Sequence, residues 1–437
     1  MVVSGRRARG HDSHRPRWLA PIALAVVVLT ASCVGTSPSG QEVRGKADRR
    51  APNREFVGGT VAANNAFAAD LYRAVAPNRG NFAYSPLALL TALSMARAGS
   101  GSPSDTRAEF DTFLHANLTP DLDTGLSTLQ QGLSARSGET RSTVRKGRIS
   151  LELSASLWGQ RGTHFKEDYL DLLAGAYDTG FHVVDFRTDA ESARQSINRW
   201  GNEATRGKFD ELAPRGDVTQ YTRFVVASES YLQAPWLLPF DATNTKRGVF
   251  QRVDDQPVDV RMMQLTAPQG LRYAEKPDWT AVEIPYLGEQ LSLVAVMPTA
   301  GQFEAFEQGL NDDRIREIMT SLQPQPIDLR LPQFQFTTAA NLNEAIKPLL
   351  PAAFDQSADF SAITSDETLA LSQVLYKGFY GVNEEGTESV DATTARPTNT
   401  TNIAGVKTVT VDRPFVFFVR DRESGVVLLI GRVVNPS

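Results

Sequence analysis

Apolar side chains in the first half of the chain recur every three or four residues, the spacing of an amphipathic helix. In the first such segment Phe67, Leu71 and Val75 fall on one face. A second helix is predicted after Ser85-Pro86, because serine caps helices and proline fits the first turn. The helices predicted in this way span residues 62–75, 87–98, 166–177 and 190–205.

From about residue 220 onward, short runs of β-branched, aromatic and leucine residues predominate, and such runs favour strands. Helices early and strands late predict a mixed α+β fold. With 41% hydrophobic and 22% charged residues, the chain has enough apolar material for a core. The predicted strands span residues 81–84, 151–158, 223–227, 282–286, 291–298, 327–331, 371–382, 415–420 and 426–434.

The stretch between Thr387 and Gly405 fits neither spacing. It consists almost wholly of small or polar residues and has hardly a large apolar side chain to bury. Loops of this length inside a domain are uncommon, and they are usually either disordered or the working part of the molecule. This stretch is therefore the first place to look for a function.

The N-terminus has the pattern of a secretory signal. Five arginines precede an apolar run from Trp18 to Leu29 that is too short to cross a bilayer. We therefore expect residues 1–32 to be removed on export, with an uncleaved membrane anchor as the alternative. Cys33, the only cysteine, follows a segment that resembles a bacterial lipobox. It would then be a lipidated N-terminus at the cell surface; an incidental cysteine in a secreted protein is the alternative.

The charge of the chain limits its partners. The chain has 45 basic and 50 acidic residues, and loss of residues 1–32 removes five arginines but only one aspartate. The acidic remainder has no basic run interleaved with aromatic residues, so neither a nucleic acid nor a heparin-type polyanion is expected. A membrane is expected as a partner only through a lipid on Cys33. Residues 33–54 are mostly small, polar or charged, and they predict a flexible tether.

Sequence motifs for catalysis are absent. His115, His164 and His182 do not have metal-binding spacing, and there is neither a G-x-S-x-G motif nor a phosphate-binding glycine loop. Glu384 and Glu385 are adjacent, but neighbouring side chains of an extended chain point to opposite faces, so they cannot act as an acid–base pair. We expect no enzyme, metal or cofactor. A hydrolase with scattered catalytic residues is the alternative.

Several segments together identify a family. The run Asn383-Glu384-Glu385-Gly386-Thr387-Glu388 resembles the hinge of the serpins, a family of serine protease inhibitors. The segments Asp412–Asp421 and Gly431–Pro436 resemble the C-terminal signature of that family. Further matches occur in the family's order over nearly the whole chain after the signal, at Phe67–Tyr72, Tyr84–Pro86, Ile197–Trp200, Thr205–Lys208, Trp236–Phe240 and Ala358–Ser361.

The resemblance implies a single α+β domain over residues 55–437, with a large central mixed or antiparallel sheet, two smaller sheets and eight or nine helices. It also implies a monomeric suicide substrate: a serine protease attacks an exposed reactive loop at about residues 384–405. The cut loop then inserts into the central sheet as a strand and traps the protease in a covalent 1:1 complex. The implied hinge residues are Glu384, Glu385, Gly386, Thr387, Glu388, Ser389 and Ala392.

The composition of the hinge suits insertion into a sheet. Gly386 permits a turn without a Cβ penalty. Small residues such as Thr387, Ser389 and Ala392 can enter a closing sheet with little steric penalty, and threonine favours the strand state. Arginine at Thr387 is therefore expected to convert an inhibitor into a substrate.

Family spacing from Gly386 places the scissile bond at Thr400-Thr401, and a slip of one residue would make Asn399 or Thr401 the residue before the cut. Threonine there suits the small or medium apolar pocket of an elastase- or subtilisin-like protease. Arg396 would suit a trypsin-like protease, but it lies closer to the hinge than the family spacing allows.

Departures from the family pattern raise two questions. Asp391 would face the buried side of an inserted strand together with Thr387, where an unpaired carboxylate is costly. Tyr376 and Ser228 stand where the family usually has a histidine and its asparagine partner, which predicts a matched pair, a substitute hydrogen bond or altered opening of the sheet.

A non-inhibitory serpin that acts as a binding or chaperone-like protein is the alternative function. The residues implied to control opening are Ser85, Asn198, Ser228, Trp236 and Tyr376.

Overall fold

The computed structural model describes residues 41–76, 80–143, 145–388, 393–394 and 406–437. The described part contains ten α-helices, close to the eight or nine expected, and they belong to one compact unit. None of these described helices is long and apolar enough to cross a membrane. The helices are α1 Val57–Val75, α2 Pro86–Ala98, α3 Asp105–Phe113, α4 Leu122–Ser134, α5 Glu167–Leu172, α6 Ala190–Ala204, α7 Phe303–Gln308, α8 Asp312–Ser321, α9 Asn343–Ile346 and α10 Pro351–Phe354.

Strands supply most of the second half of the chain, as the sequence pattern predicts. The strands are β1 Gln41–Val43, β2 Phe82–Tyr84, β3 Gly138–Arg141, β4 Arg145–Gln160, β5 Phe181–Val184, β6 Phe224–Pro235, β7 Lys246–Gln251, β8 Pro257–Glu275, β9 Trp279–Pro285, β10 Leu291–Pro298, β11 Gln323–Pro332, β12 Phe334–Asn341, β13 Leu371–Val382, β14 Gly386–Thr387, β15 Thr393–Thr394, β16 Lys407–Thr410, β17 Phe415–Asp421 and β18 Val427–Val433.

The central sheet has the strand order β1-β5-β4-β6-β14-β13-β12. It is mixed, because β4 pairs in parallel with β5, and β6 pairs in parallel with β13. Helix α6 covers one face, where Ile197 packs with Trp158, Val225 and Leu375. The opposite face is buried in the main core, which includes Leu87 and other residues of α2.

A second sheet has the order β16-β11-β8-β9-β10-β17-β18-β2, with β7 beside β8. The two smaller sheets implied by the family resemblance are joined here through β8, which pairs with β7, β9 and β11. Strands β3 and β15 extend the central sheet beside its main path of strands, each by pairing with the start of β4. The α+β fold predicted from the sequence is confirmed.

Helix α2 begins as predicted. The Ser85 side chain accepts a hydrogen bond from the backbone N–H of Ala88 at 3.2 Å, and Pro86 occupies the first turn. This cap satisfies one of the backbone donors that every helix start leaves open. The cap also fixes the position of Ser85 in the core beneath the central sheet, next to Tyr376.

The prediction of a flexible tether is wrong for residues 41–54. Gln41–Val43 adds to the edge of the central sheet as β1, antiparallel to β5. The next residues are held by the Asp171 side chain, which accepts from the backbone N–H of Lys46 at 2.6 Å, and by the Arg50 N–H, which donates to the Gly175 carbonyl at 2.8 Å. Backbone pairing and hydrogen bonds to charged side chains hold this segment, so a polar composition did not predict its order. Residues 33–40 lie outside the described residues.

Candidate functional site: the hinge and the β6–β13 seam

Strands β6 and β13 lie side by side and pair in parallel from Phe224/Leu371 to Ser230/Gly378, and we call this paired region the seam. At its end, β14 lies between the two strands. Gly386 pairs with Pro235 and Thr387 with Ala234 on β6, and Thr387 also pairs with Val382 on β13. The start of the predicted hinge therefore already occupies the position of a strand between β6 and β13.

A tight turn delivers the hinge to this position. The Asn383 side chain accepts hydrogen bonds from the backbone N–H groups of Glu385 at 2.9 Å and Gly386 at 3.1 Å. Trp236 donates its backbone N–H to the Glu385 carbonyl and its indole N–H to the Asn383 carbonyl, each at 2.9 Å. The indole stacks on Tyr286, with ring centroids 4.6 Å apart. Trp236 thus holds the turn rather than the seam itself.

The two adjacent glutamates of the hinge diverge, as predicted. Glu385 forms a 2.6 Å ion pair with Arg145, whose guanidinium also donates to the Trp236 carbonyl at 2.8 Å. Glu384 accepts from the Thr245 hydroxyl at 2.7 Å and lies 3.6 Å from Arg261. Both side chains fasten the hinge to neighbouring elements, and neither faces the other as an acid–base pair would.

Gly386 is required by close approach rather than by a turn. A Cβ atom at this position would lie 2.2 Å from the Ala234 carbonyl oxygen and 2.7 Å from the Pro235 Cα. Gly386 does lie in the turn that begins at Asn383, but it does not have a positive φ, so the turn alone does not demand glycine. Any larger residue would separate β14 from β6, because a contact this short with backbone atoms cannot relax by side-chain rotation.

Thr387 and Glu388 are both buried, on opposite faces of the central sheet. The Thr387 hydroxyl is 2.6 Å from the Tyr286 hydroxyl on the core side. The Glu388 carboxylate lies 3.5 Å from the Lys208 ammonium, and the Tyr231 hydroxyl also interacts with it. Burial raises the pKa of Glu388 to about 7, and Lys208 and the Tyr231 hydroxyl oppose this rise.

The chain leaves the sheet at Glu388. Its φ is 46°, in the left-handed region that residues with a Cβ adopt only under constraint. Its backbone N–H still donates to the Gly381 carbonyl at 3.0 Å. A strand cannot continue through this conformation, so β14 ends after Thr387.

Three buried hydroxyl groups form a cluster under the seam, which we call the hydroxyl cluster. The Tyr376 hydroxyl accepts from the backbone N–H of Ser85 at 2.8 Å and lies 2.6 Å from the Ser230 hydroxyl. The Tyr380 hydroxyl is hydrogen-bonded to Tyr376 and lies 3.1 Å from Ser230. Burial raises the pKa of Tyr376 to about 12 and also raises the pKa of Tyr380 well above its ordinary value, so both hydroxyls keep their protons.

Tyr376 takes part in a substitute hydrogen-bond network, the second of the three alternatives predicted for Tyr376 and Ser228. In the described part of the chain Tyr376 and Ser228 do not hydrogen-bond to each other as a matched pair would. Ser228 is level with Tyr376 across the seam. Its hydroxyl is buried and has no hydrogen-bond partner in the described part of the chain. Asn198 is remote from the cluster: its side chain accepts from the backbone N–H groups of Leu212 and Ala213 at 2.8 and 2.6 Å. Asn198 therefore fixes the segment after α6.

Sequence reasoning missed Glu229, which faces α6 from the middle of β6. The side chain is buried, neither oxygen has a hydrogen-bond partner among the residues described, and a Cβ at Gly201 of α6 would lie 2.4 Å from Oε1. Burial raises the pKa of Glu229 to about 9, with Lys377 opposing the rise. The sequence does single out Glu229, because it is the one charged residue in the strand Phe224–Pro235.

Several predicted site residues lie outside the described part of the chain. Beyond Glu388, only Thr393–Thr394 of the loop is described, and its backbone pairs with Arg145 and Lys146 at the start of β4, away from the seam. No group of three or more histidine, cysteine or acidic side chains suited to a metal occurs among the described residues. The predicted residues outside the description are Cys33, Ser389, Asp391, Ala392, Arg396, Asn399, Thr400 and Thr401.

Comparisons with known proteins agree with this arrangement. The chain is 31% identical over 380 residues to an uncharacterized serpin-like protein of Thermococcus kodakarensis, with 86% of each chain covered. It is 28% identical over 388 residues to leukocyte elastase inhibitor of Xenopus tropicalis, covering 85% of this chain and 97% of that one. The native thermophilic serpin tengpin shares the fold, with a TM-score of 0.78 at 21% identity and coverage of 91% and 99%. A family model described as serpin (serine protease inhibitor) matches residues 62–436, so the chain belongs to the serpin family.

Proposed function

We propose that this protein is a suicide-substrate inhibitor of elastase- or subtilisin-like serine proteases. One observation carries the proposal: β14 already lies between β6 and β13. A strand that is begun but not completed is the starting point that loop insertion needs. The name of the Xenopus tropicalis relative, leukocyte elastase inhibitor, supports an elastase-like target.

The reaction begins at the scissile bond, placed by family spacing at Thr400-Thr401. The serine oxygen of the protease attacks the Thr400 carbonyl carbon, and the peptide bond breaks. The serine proton passes to the nitrogen that becomes the new N-terminus of Thr401, which leaves Thr400 esterified to the protease. Insertion of residues 388–400 along the seam then carries the acylated protease away before water can hydrolyse the ester.

The N-terminal sequence supports a proposal for where in the cell the protein acts. We propose export by the signal at residues 1–32 and lipidation of Cys33, so that the inhibitor meets proteases at the cell surface. Globomycin, an inhibitor of the lipoprotein signal peptidase, should then cause the precursor to accumulate. A cysteine that remains free to react with a thiol reagent in the mature protein would contradict lipidation.

Incubation with pancreatic elastase and with subtilisin, followed by SDS gel electrophoresis, tests the proposal. A band at the summed mass of inhibitor and protease supports inhibition. Loop cleavage without this band favours a non-inhibitory serpin, and ester hydrolysis with neither product would indicate a hydrolase.

The Thr387→Arg variant tests the insertion step. Thr387 is buried against Tyr286, so arginine at this position has no room between β6 and β13. We expect the variant to be cleaved at the same bond, with at least a tenfold loss of the covalent band. Thr320→Arg, at an exposed position of α8, is the matched control. A variant that still forms the complex as efficiently as the wild type would contradict insertion.

A further inference from the structure

We propose that the hydroxyl cluster of Ser230, Tyr376 and Tyr380 is a receiving site for the carboxylate of Asp391. The inference rests on the proposed function, because Asp391 reaches the cluster only when the loop inserts along the seam. It assigns a positioning role to three buried side chains and explains how an inserted strand can carry an aspartate on its buried face.

The register of β14 locates Asp391 after insertion. Thr387 pairs with Ala234 in an antiparallel sense, so four residues further along the loop Asp391 falls opposite Ser230. Thr387 also pairs with Val382 on the other side, which brings Asp391 level with Gly378. Gly378 and Ser230 are themselves paired across the seam. The register with β6 and the register with β13 therefore place Asp391 at the same position along the seam.

After insertion, Asp391 would also lie on the same face of the sheet as the hydroxyl cluster. Thr387 points to the core side, toward the Tyr286 hydroxyl, and side chains two and four residues along a strand share its face. At Gly378 a Cβ would lie 2.2 Å from the Tyr380 hydroxyl and 2.8 Å from the Tyr376 hydroxyl. Both tyrosine hydroxyls therefore lie over the level that Asp391 would reach, and on its face.

In the described structure all the donors of the cluster are engaged: the three contacts among the hydroxyl groups use their three hydrogens, and the Ser85 N–H donates to Tyr376. Two of these contacts, Ser230–Tyr376 and Ser230–Tyr380, cross from β6 to β13. A strand inserted along the seam would separate β6 from β13 and break both contacts. Hydroxyl groups can rotate, so Ser230 and Tyr380 could then turn their hydrogens toward an incoming acceptor. A carboxylate accepts such bonds without having to bring a proton of its own.

The same register would give the buried Ser228 hydroxyl a hydrogen-bond partner after insertion. Two residues beyond Asp391, Thr393 would fall opposite Ser228 on the core face, where the Ser228 hydroxyl has no partner among the described residues. Ser228 and Ser230 would thus pair with successive inward residues of the inserted strand. Polar side chains under the seam and polar side chains of the loop match in spacing and in chemistry.

A double-mutant cycle on loop-cleaved protein tests the inference. Wild type, Asp391→Ala, Tyr380→Phe and the double variant are nicked with subtilisin, and their unfolding rates in guanidinium chloride are compared. We expect Tyr380→Phe to speed unfolding about tenfold in the wild-type background, as for the loss of a hydrogen bond to a charged group, and less than twofold in the Asp391→Ala background. Ser230→Ala provides a second cycle if Tyr380→Phe lowers the melting temperature of the intact protein.

The outcomes separate this inference from the proposed function. If cleavage does not raise the thermal stability of the wild type, the loop does not insert, and both the function and the receiving site are wrong. If cleavage does stabilise the wild type but Tyr380→Phe and Ser230→Ala have equal effects with and without Asp391, the loop inserts without using the cluster. That result would overturn the receiving site and leave the proposed function standing.

Discussion

Raising the pH from 5 to 8 is expected to destabilise the protein through one buried carboxylate at the hinge, Glu388. Lys208 at 3.5 Å is its described ion-pair partner, and the Tyr231 hydroxyl also favours its charged form, but burial outweighs both. Glu388→Gln keeps the shape of the side chain and removes the charge. The difference in stability between wild type and this variant isolates the carboxylate from other titrating groups.

The magnitude follows from the pKa of Glu388 in the folded protein, about 7, against an ordinary value of 4.5. A raised folded-state pKa means that the folded protein binds the proton more tightly than the unfolded chain does. The stabilising effect of protonation is therefore complete below pH 4.5 and is lost as the pH rises through 7. Between pH 5 and 8 the free energy of unfolding should fall by about 2 kcal/mol in the wild type relative to Glu388→Gln.

Urea unfolding of both proteins at half-unit pH intervals measures this difference. We expect the wild type to lose stability relative to Glu388→Gln as the pH rises from about 4.5 to 7, and the difference to level off near pH 8. Lys208→Met is a second probe: it removes the opposing charge, raises the pKa of Glu388 further and extends the loss of stability to higher pH. Parallel pH profiles for wild type and Glu388→Gln would refute the argument that this carboxylate is buried at the hinge.

Two further predictions concern residues around the seam. Gly386→Ala should undock the hinge, because its Cβ would lie 2.2 Å from the Ala234 carbonyl; hydrogen exchange at Ala234 should rise at least tenfold, whereas Gly132→Ala, with no atom near its Cβ, should not change it. Glu229→Gln should raise stability at pH 9 by more than about 1 kcal/mol relative to pH 6, since the Glu229 pKa of about 9 means that ionisation destabilises the fold as the pH rises. The exposed Glu139→Gln variant is its control, and a pH-independent effect of Glu229→Gln would contradict the buried position.

Helices and strands were predicted from the sequence most accurately where a helix cap or a continuous apolar run marked them. The serine cap and proline of α2 and the apolar runs of β10, β17 and β18 correspond closely to the structure. Helices α3 and α4 and the long strand β8 were not predicted. In α4 the signal was present and was missed: Leu122, Leu126, Leu129 and Leu133 recur with helical spacing and are buried. Local pattern fails where tertiary packing selects among several acceptable conformations.

Within the site, the chain segments were predictable and their contacts were not. The hinge Glu384–Glu388 follows from the motif, whereas the need for Gly386 depends on the backbone of Ala234, which is distant in sequence. The Tyr376 hydroxyl could be flagged only as a departure from a family pattern. Its partners, Ser85, Ser230 and Tyr380, come from three different elements. Register across a sheet is a property of the fold, so the sequence alone cannot assign such partners.

The end of β14 before Glu388 has a physical cause that bears on the proposed insertion. The residue before it, Thr387, fits between the strands with a satisfied hydroxyl. At Glu388 two costs coincide, a left-handed backbone conformation and a carboxylate buried beside one lysine at 3.5 Å. Continued insertion would relax the backbone of Glu388 to the extended region, but it must also separate β6 from β13 over seven paired residues. In the proposed mechanism, a loop that is still tethered at both ends would gain few new pairs from that separation. Cleavage would free one end, and each further residue could then pair with both strands at once.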